Sequence, residues 1–168
     1  KPEVFLEKER QRITSMNKTL ETLTTALPEL QSLHQKYAAT PQMSVYYGKV
    51  GLIQVMEDSL TTKSELLCWA NAETVYSILE DYYPSYIRKK IKRKIWLRGI
   101  FLYQKAALEF KKRGKKELRE VYLIPPEKFF FENEINIYDD KVAIISHKDQ
   151  VGIIIQNPHI AEAQKAIF

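Results

Sequence analysis

Between residues 6 and 37 the chain carries an unbroken heptad pattern, and this bounds the fold more tightly than any other feature. Alternate steps of three and four fall on Leu6, Glu9, Ile13, Met16, Leu20, Leu23, Leu27, Leu30, His34 and Tyr37. Seven of these ten are aliphatic or Met, and polar residues fill most positions between them. So narrow a stripe suits the seam between two helices, whereas a helix laid on its own domain usually shows a wider apolar face. Residues 1–40 are therefore expected to form a dimerising coiled-coil helix with Leu6, Ile13, Met16, Leu20, Leu23 and Leu27 in the seam. Packing of this helix on the domain behind it is the alternative, and Pro28 lends it weight. Proline removes one helical hydrogen bond and clashes with the preceding turn, so the helix should kink near residues 24–27 or restart there. Beyond it Leu30, Leu33 and Tyr37 are expected to turn inward onto the domain. Glu9 in the seam needs a partner.

Removing the first forty of the 168 residues leaves a domain of ordinary single-core size, and 45% hydrophobic content suffices to fill that core. No apolar run approaches the ~20 residues of a membrane-spanning helix, and no secretory signal opens the chain. Its first residue is Lys rather than Met, which reads as a fragment whose upstream portion has been removed. The lone Cys68 excludes an internal disulfide, fits a reducing cytoplasm, and is most simply a small core residue. His34, His147 and His159 lie far apart with no cysteine cluster, so neither a metal site nor another cofactor is expected.

Past the helix the chain alternates in type. Residues 45–47 read as a short strand, 49–61 as a helix through Leu52, Ile53, Met56 and Leu60, and 64–70 as a buried strand. Asn71 is placed to cap a helix over residues 72–94. Residues 95–102 form the next strand. A helix over 106–112 should stop near Gly114 in a left-handed turn, and a strand over 118–124 ends at Pro125 and Pro126. Strand, helix, strand, helix, strand is the pattern of parallel strands joined by crossover helices. The last third differs: residues 129–138, 141–146 and 150–156 are strand-like and separated by short turns, so they should be antiparallel. Asn157 and Pro158 open a closing helix to Phe168 that should cover one face of a mixed α/β sheet.

Four stretches carry a family resemblance: the leading coil ending in LPELQSLH, then YYGKVGLIQVMEDSL, then REVYLIPPEKF, and EINIYDDKVAIIS followed by VGIIIQNPHIAEAQKAIF. Together they span nearly the whole chain, which resembles the C-terminal effector part of TrmB-like transcriptional regulators. The resemblance implies a winged helix-turn-helix that reads DNA, a coiled coil joining two protomers, and a domain of phospholipase D-like fold that senses an effector, a sugar in the studied archaeal members. It implies residues 41–168 as the effector-binding domain, a homodimer through the N-terminal helix, and DNA contact only through a reader upstream of Lys1.

Enzymes of that fold use a His-x-Lys-x4-Asp strand, in which histidine is the nucleophile and the same-face lysine binds phosphate. With Asp139 at the aspartate position, Glu132 stands for the histidine and Glu134 for the lysine; with Asp140 there, Asn133 and Ile135 do. A carboxylate in place of the lysine would repel phosphate, and without imidazole no covalent intermediate forms. The expectation is a catalytically inactive, binding domain. A phospholipase D-like phosphodiesterase or nuclease with an unconventional site is the alternative, and a pure dimerisation domain is a weaker one. Ser146, His147 and Asp149 are close in sequence, but strand neighbours point to opposite faces, so they read as a solvated turn rather than a triad. The five glycines form no phosphate loop, and Gly48 and Gly51 more simply permit a strand-to-helix turn.

Ligands of open sheets collect at the carboxyl ends of parallel strands, around the switch in strand order. That rule points to Asn71, to Tyr103, and to polar residues facing in from later strands. Glu134 and Asn136 share one face of EINIY, where polar groups between isoleucines need a reason, and a sugar or related small metabolite would supply it. Arg98 and Arg119 lie in apolar strands and could balance Glu134 or reach an anionic effector; an internal ion pair is the plainer reading. Finally, six of the seven residues 88–94 are Lys or Arg, and Lys111, Lys112, Arg113, Lys115 and Lys116 make a second run, in keeping with a net charge of +5. Tyr83, Ile87 and Ile91 turn inward on the first, which places its cations on a solvated face, with auxiliary contact to DNA as the alternative.

Overall fold

The computed structural model describes the backbone of residues 2–36 and 41–168 and the side chains of residues 4–27 and 41–168. Contacts divide the chain into two units, Lys1–Thr40 and Pro41–Phe168.

The first unit is one helix, α1 (Pro2–Lys36). It runs through Pro28 without the expected restart, although the missing N–H leaves the Thr24 carbonyl without its usual helical partner. The hydroxyls of Thr14, Thr19, Thr22, Thr24 and Thr25 each donate to the carbonyl four residues back at 2.8–3.0 Å, a habit that bends helices slightly. Leu6, Ile13, Met16, Leu20, Leu23 and Leu27 are 51–66% exposed, since a single helix has nothing of its own with which to cover an apolar stripe. The side chains of Leu30, Leu33, His34 and Tyr37 lie outside the described residues.

The second unit is a mixed seven-stranded sheet. In chain order it contains β1 (Gln42–Tyr47), α2 (Gly48–Ser59), β2 (Leu66–Ala70), α3 (Ala72–Leu79), α4 (Tyr83–Lys92), β3 (Leu97–Leu102), α5 (Lys105–Lys112), a 3-10 turn (Lys115–Glu117), β4 (Arg119–Ile124), β5 (Glu134–Tyr138), β6 (Lys141–Ser146), β7 (Val151–Gln156) and α6 (Pro158–Ile167). The strand order is β1-β7-β6-β5-β2-β3-β4. Strands β2, β3 and β4 are parallel, joined by crossover helices, and every other pairing is antiparallel. Strand β2 lies between the two regimes, so the switch in strand direction falls between β2 and β5.

Alternation sorts the residues into two faces. Cys68, Ala70, Phe101, Val121, Tyr138 and Ile145 point to an inner face that shares one core with residues of α2, α3, α4 and α5. Leu67, Ile137 and Val142 point the other way, toward Ala161 of α6. Close packing of α2 on β7 requires Gly152, where a Cβ would come within 2.8 Å of Val55. Gly48, at φ +68°, makes the turn from β1 into α2 as its sequence context suggested.

Three expectations are corrected. The single helix over residues 72–94 is two, because Pro84 cannot donate to Glu80 and its ring would clash there; it sits instead in the first turn of α4. The strand over 129–138 begins only at Glu134, since β2 and β6 offer partners no earlier, and Phe129 and Phe130 are 57% and 69% exposed. Gly114 is right-handed at φ −40°, and Leu118 takes the left-handed conformation at φ 50°. Gly114 is required for space instead: a Cβ there would meet the Arg119 carbonyl at 2.9 Å.

Candidate functional site

A cluster of polar side chains is buried on the inner face beside the switch in strand direction. Glu134 and Asn136 alternate with Ile135 on β5, so both point inward, and the run Ala143, Ile145, His147 carries the histidine to the same face one step past β6. Glu134 is 4%, Asn136 1% and His147 1% exposed. Asn136 Nδ2 donates to Glu134 Oε1 at 2.5 Å, and His147 Nε2 lies 2.9 Å from Glu134 Oε2. His147 Nδ1 is buried without a partner. The histidine read as part of a solvated turn is therefore a core group paired with a carboxylate. Ser146 and Asp149 do form that turn, with Ser146 Oγ donating to Asp149 Oδ2 at 2.6 Å.

Glu134 and Asn136 border a small cavity of about 20 Å³ shared with Cys68, Tyr83, Tyr86 and Phe101. That is the space of a single water. Burial pushes the Cys68 thiol up, and the Glu134 carboxylate adds to the effect while Arg119 opposes it. Burial likewise raises the Tyr83 and Tyr86 hydroxyls, so all three remain protonated donors at neutral pH. Ser59 gives its proton to the Met56 carbonyl at 2.7 Å, which makes Tyr86 the donor in their 3.0 Å contact.

The other expected site residues are dispersed. Arg119 is buried on the inner face, but its guanidinium stacks 4.4 Å over the Phe110 ring, donates to Tyr83 at 3.4 Å, and lies 2.7 Å from Glu117 Oε2 rather than against Glu134. The Glu117 contact lacks the angle of a hydrogen bond, and Arg119 Nε has no partner. Arg98 faces the opposite side of the sheet, where it holds Glu65 through two bonds of 2.8 and 3.0 Å and lies over Phe168. It does not balance Glu134. Asn71, at the carboxyl end of β2, caps α3 by accepting from Glu73 N and Thr74 N at 3.2 and 3.4 Å. Tyr103, after β3, is 58% exposed.

Lys90, read among the cations of a solvated face, is a core residue. It is fully buried, and its ammonium donates to the carbonyls of Ile95, Glu117 and Leu118 at 3.2, 2.7 and 2.9 Å. Burial, with Arg119 adding to it, brings its pKa down to about 7. The signal was present: 83, 86, 87 and 90 follow the i, i+3, i+4, i+7 spacing of one helix face.

Of the two residues set against the His-x-Lys spacing in the sequence, Glu132 is exposed ahead of β5 and Glu134 is the buried partner of His147. Burial raises the Asp139 pKa, but hydrogen bonds from Lys63, Ser64 and Thr62 outweigh it and hold the carboxyl below its usual range. Among the described residues no three or more His, Cys, Asp or Glu side chains are grouped to hold a metal, and no helix is long and apolar enough to cross a membrane.

No family model matches the chain, and no curated protein matches it in sequence. Solved structures do share its architecture. TrmBL2, an archaeal chromatin protein whose structure shows a novel mode of DNA binding, superimposes with a TM-score of 0.52 at 14% identity, covering 98% of this chain. The fold is TrmB-like and phospholipase D-like. This chain spans 64% of the TrmBL2 chain. Nuc of Salmonella typhimurium, a phospholipase D family member, superimposes at 0.52 with 13% identity over 75% of this chain and 90% of its own. Phosphatidylserine synthase of Haemophilus influenzae Rd KW20 does so at 0.51 with 13% identity, over 76% and 38%.

Proposed function

We propose that this chain is the ligand-sensing and dimerising part of a TrmB-like transcription regulator, catalytically inactive and responsive to a sugar or related small metabolite. The observation that carries the reading is the inner face of β5, where Glu134 and Asn136 present a carboxylate and an amide with neither an imidazole nor an ammonium on that strand. A carboxylate and an amide suit hydroxyl groups and repel phosphate. They stand beside the strand-direction switch, the usual place for a ligand in an open sheet. Because their cavity holds about 20 Å³, an effector would enter by displacing the Tyr83–Tyr86 side, and binding would select that opened arrangement. The exposed stripe of α1 supports pairing with a second copy, through which an effector could alter the spacing of two DNA readers.

Thermal-shift screening against sugars and sugar phosphates tests the sensing role, since a ligand specific to the native state raises Tm by mass action. A stabilising sugar whose effect is lost in Asn136→Ala is the expected result; a broad panel that moves nothing would remove it. Sedimentation should find dimers that Leu20→Asp converts to monomers.

The His147–Glu134 contact keeps the phosphodiesterase reading in view, because a carboxylate-oriented imidazole is a nucleophile's usual setting. Turnover of a phosphodiester substrate that disappears in both Glu134→Gln and His147→Ala would establish it in place of the sensor.

A further inference from the structure

The basic runs at 88–94 and 111–116 are separate in sequence, and the fold brings them to one corner. Lys90 makes the joint. Its buried ammonium ties the end of α4 to the turn before β4 through the Glu117 and Leu118 carbonyls, and Leu97 N–H closes the same corner on Leu118 O at 3.0 Å.

The remaining cations divide into two groups. Lys89 bonds Glu57, Arg93 donates to Leu60 O at 2.7 Å, Lys112 pairs with Glu109 at 2.8 Å, and Arg113 bonds Tyr76 at 3.0 Å beside Glu117. Arg88, Lys92, Lys94, Lys111, Lys115 and Lys116 are exposed and have no acidic partner among the described residues. Beside them opens a groove of about 530 Å³ lined by Trp96, Lys111, Lys115 and Tyr122. Its one acidic lining residue, Glu120, already accepts from the Tyr122 hydroxyl at 2.8 Å. Trp96 and Tyr122 are 39% and 47% exposed.

We infer that this corner is a docking surface for the phosphodiester backbone of duplex DNA, engaged without reading base sequence. Exposed lysines are mobile point charges that meet phosphates wherever they fall. Arg119 also lines the groove, but its side chain is buried and stacked on Phe110, so it presents no free fork of the kind that reads guanine edges. The surface is a groove with two amphipathic aromatic rings rather than an aliphatic wedge, which suits a strand-like polyanion better than a lipid surface. It lies at the amino ends of β3 and β4, away from the carboxyl ends where an effector is proposed, so the inference is independent of the sensing role.

Fluorescence anisotropy with a labelled mixed-sequence duplex tests it on the whole chain. Wild type should bind at low salt with a steep log-log salt dependence. The combined Lys92→Gln, Lys94→Gln, Lys115→Gln and Lys116→Gln variant should lose at least about tenfold in affinity, with the slope reduced by about 3 to 4. A control with Lys63→Gln, Lys105→Gln, Lys128→Gln and Lys148→Gln removes the same charge elsewhere and should keep most of the binding; circular dichroism confirms that both variants fold. Should the four-site variant unfold, Lys115→Gln with Lys116→Gln alone is expected to lower the slope by about 2. Absence of duplex binding at low salt, equal losses in variant and control, or preference for phosphatidylserine vesicles over DNA would each overturn the assignment.

Discussion

Two polar groups lie in the same core and differ in how completely they are satisfied. Lys90 directs its three donors to three carbonyls, whereas the Glu134, Asn136 and His147 cluster leaves His147 Nδ1 without a partner, and Glu134 and Asn136 border a cavity. Buried polar groups are normally paired, so a complete set marks a structural joint and an incomplete one marks a place where something else can act. One is a staple between elements; the other is the place proposed above for a ligand.

The largest effect should come from breaking the complete set. Lys90→Ala leaves the Ile95 and Glu117 carbonyls without their donor and opens a void, Leu118 O keeping the Leu97 N–H, and should cost about 3–5 kcal/mol in urea unfolding. A loss below about 1 kcal/mol would mean that water substitutes for the ammonium and that the joint is dispensable. Next, His147→Phe strips the Glu134 carboxylate of one of its two contacts and should cost about 2–3 kcal/mol by the same measurement. A neutral result would make the pair incidental.

The two sites should also separate by pH. The folded pKa of Lys90, about 7, lies below its ordinary value near 10.5, so the unfolded chain binds more protons between those limits. Stability should therefore rise from pH 7 toward 10. Above that the raised hydroxyls of Tyr83, Tyr86 and Tyr138 reverse the trend, because the unfolded chain then loses protons first. Lys90→Met should flatten the rise, and a persistent slope in that variant would assign it to another group. The smallest effect is expected for Glu134→Gln, which keeps the shape and most hydrogen bonding and should cost less than about 1 kcal/mol, while abolishing any effector-induced rise in Tm.

Much of this was legible because periodicity survives folding. The alternation within EINIY put Glu134 and Asn136 on one face, and the short turns after β5 and β6 implied antiparallel pairing. Strand order was not legible, since β1 pairing with β7 is a long-range choice that no local pattern encodes. His147 was misread because it follows β6 by one residue, beyond the strand-like run, although it keeps that strand's alternation. Lys90 was misread because its charge suggested solvent, and only the carbonyls of a segment distant in sequence explain its burial. Arg98 and Arg119 looked equivalent as cations in apolar strands, yet their parity on adjacent strands sends them to opposite faces.

The pairing of β1 with β7 also governs how the domain comes into being. Tyr47 meets Val151, so one margin of the sheet is closed by two segments far apart in sequence. Until β7 has been made, β1 has no neighbour and α2 lacks one of the strands it rests on. Closure of so long a loop makes this a late and slow event in maturation, and a nascent chain halted before β7 would offer an open strand to whatever passes.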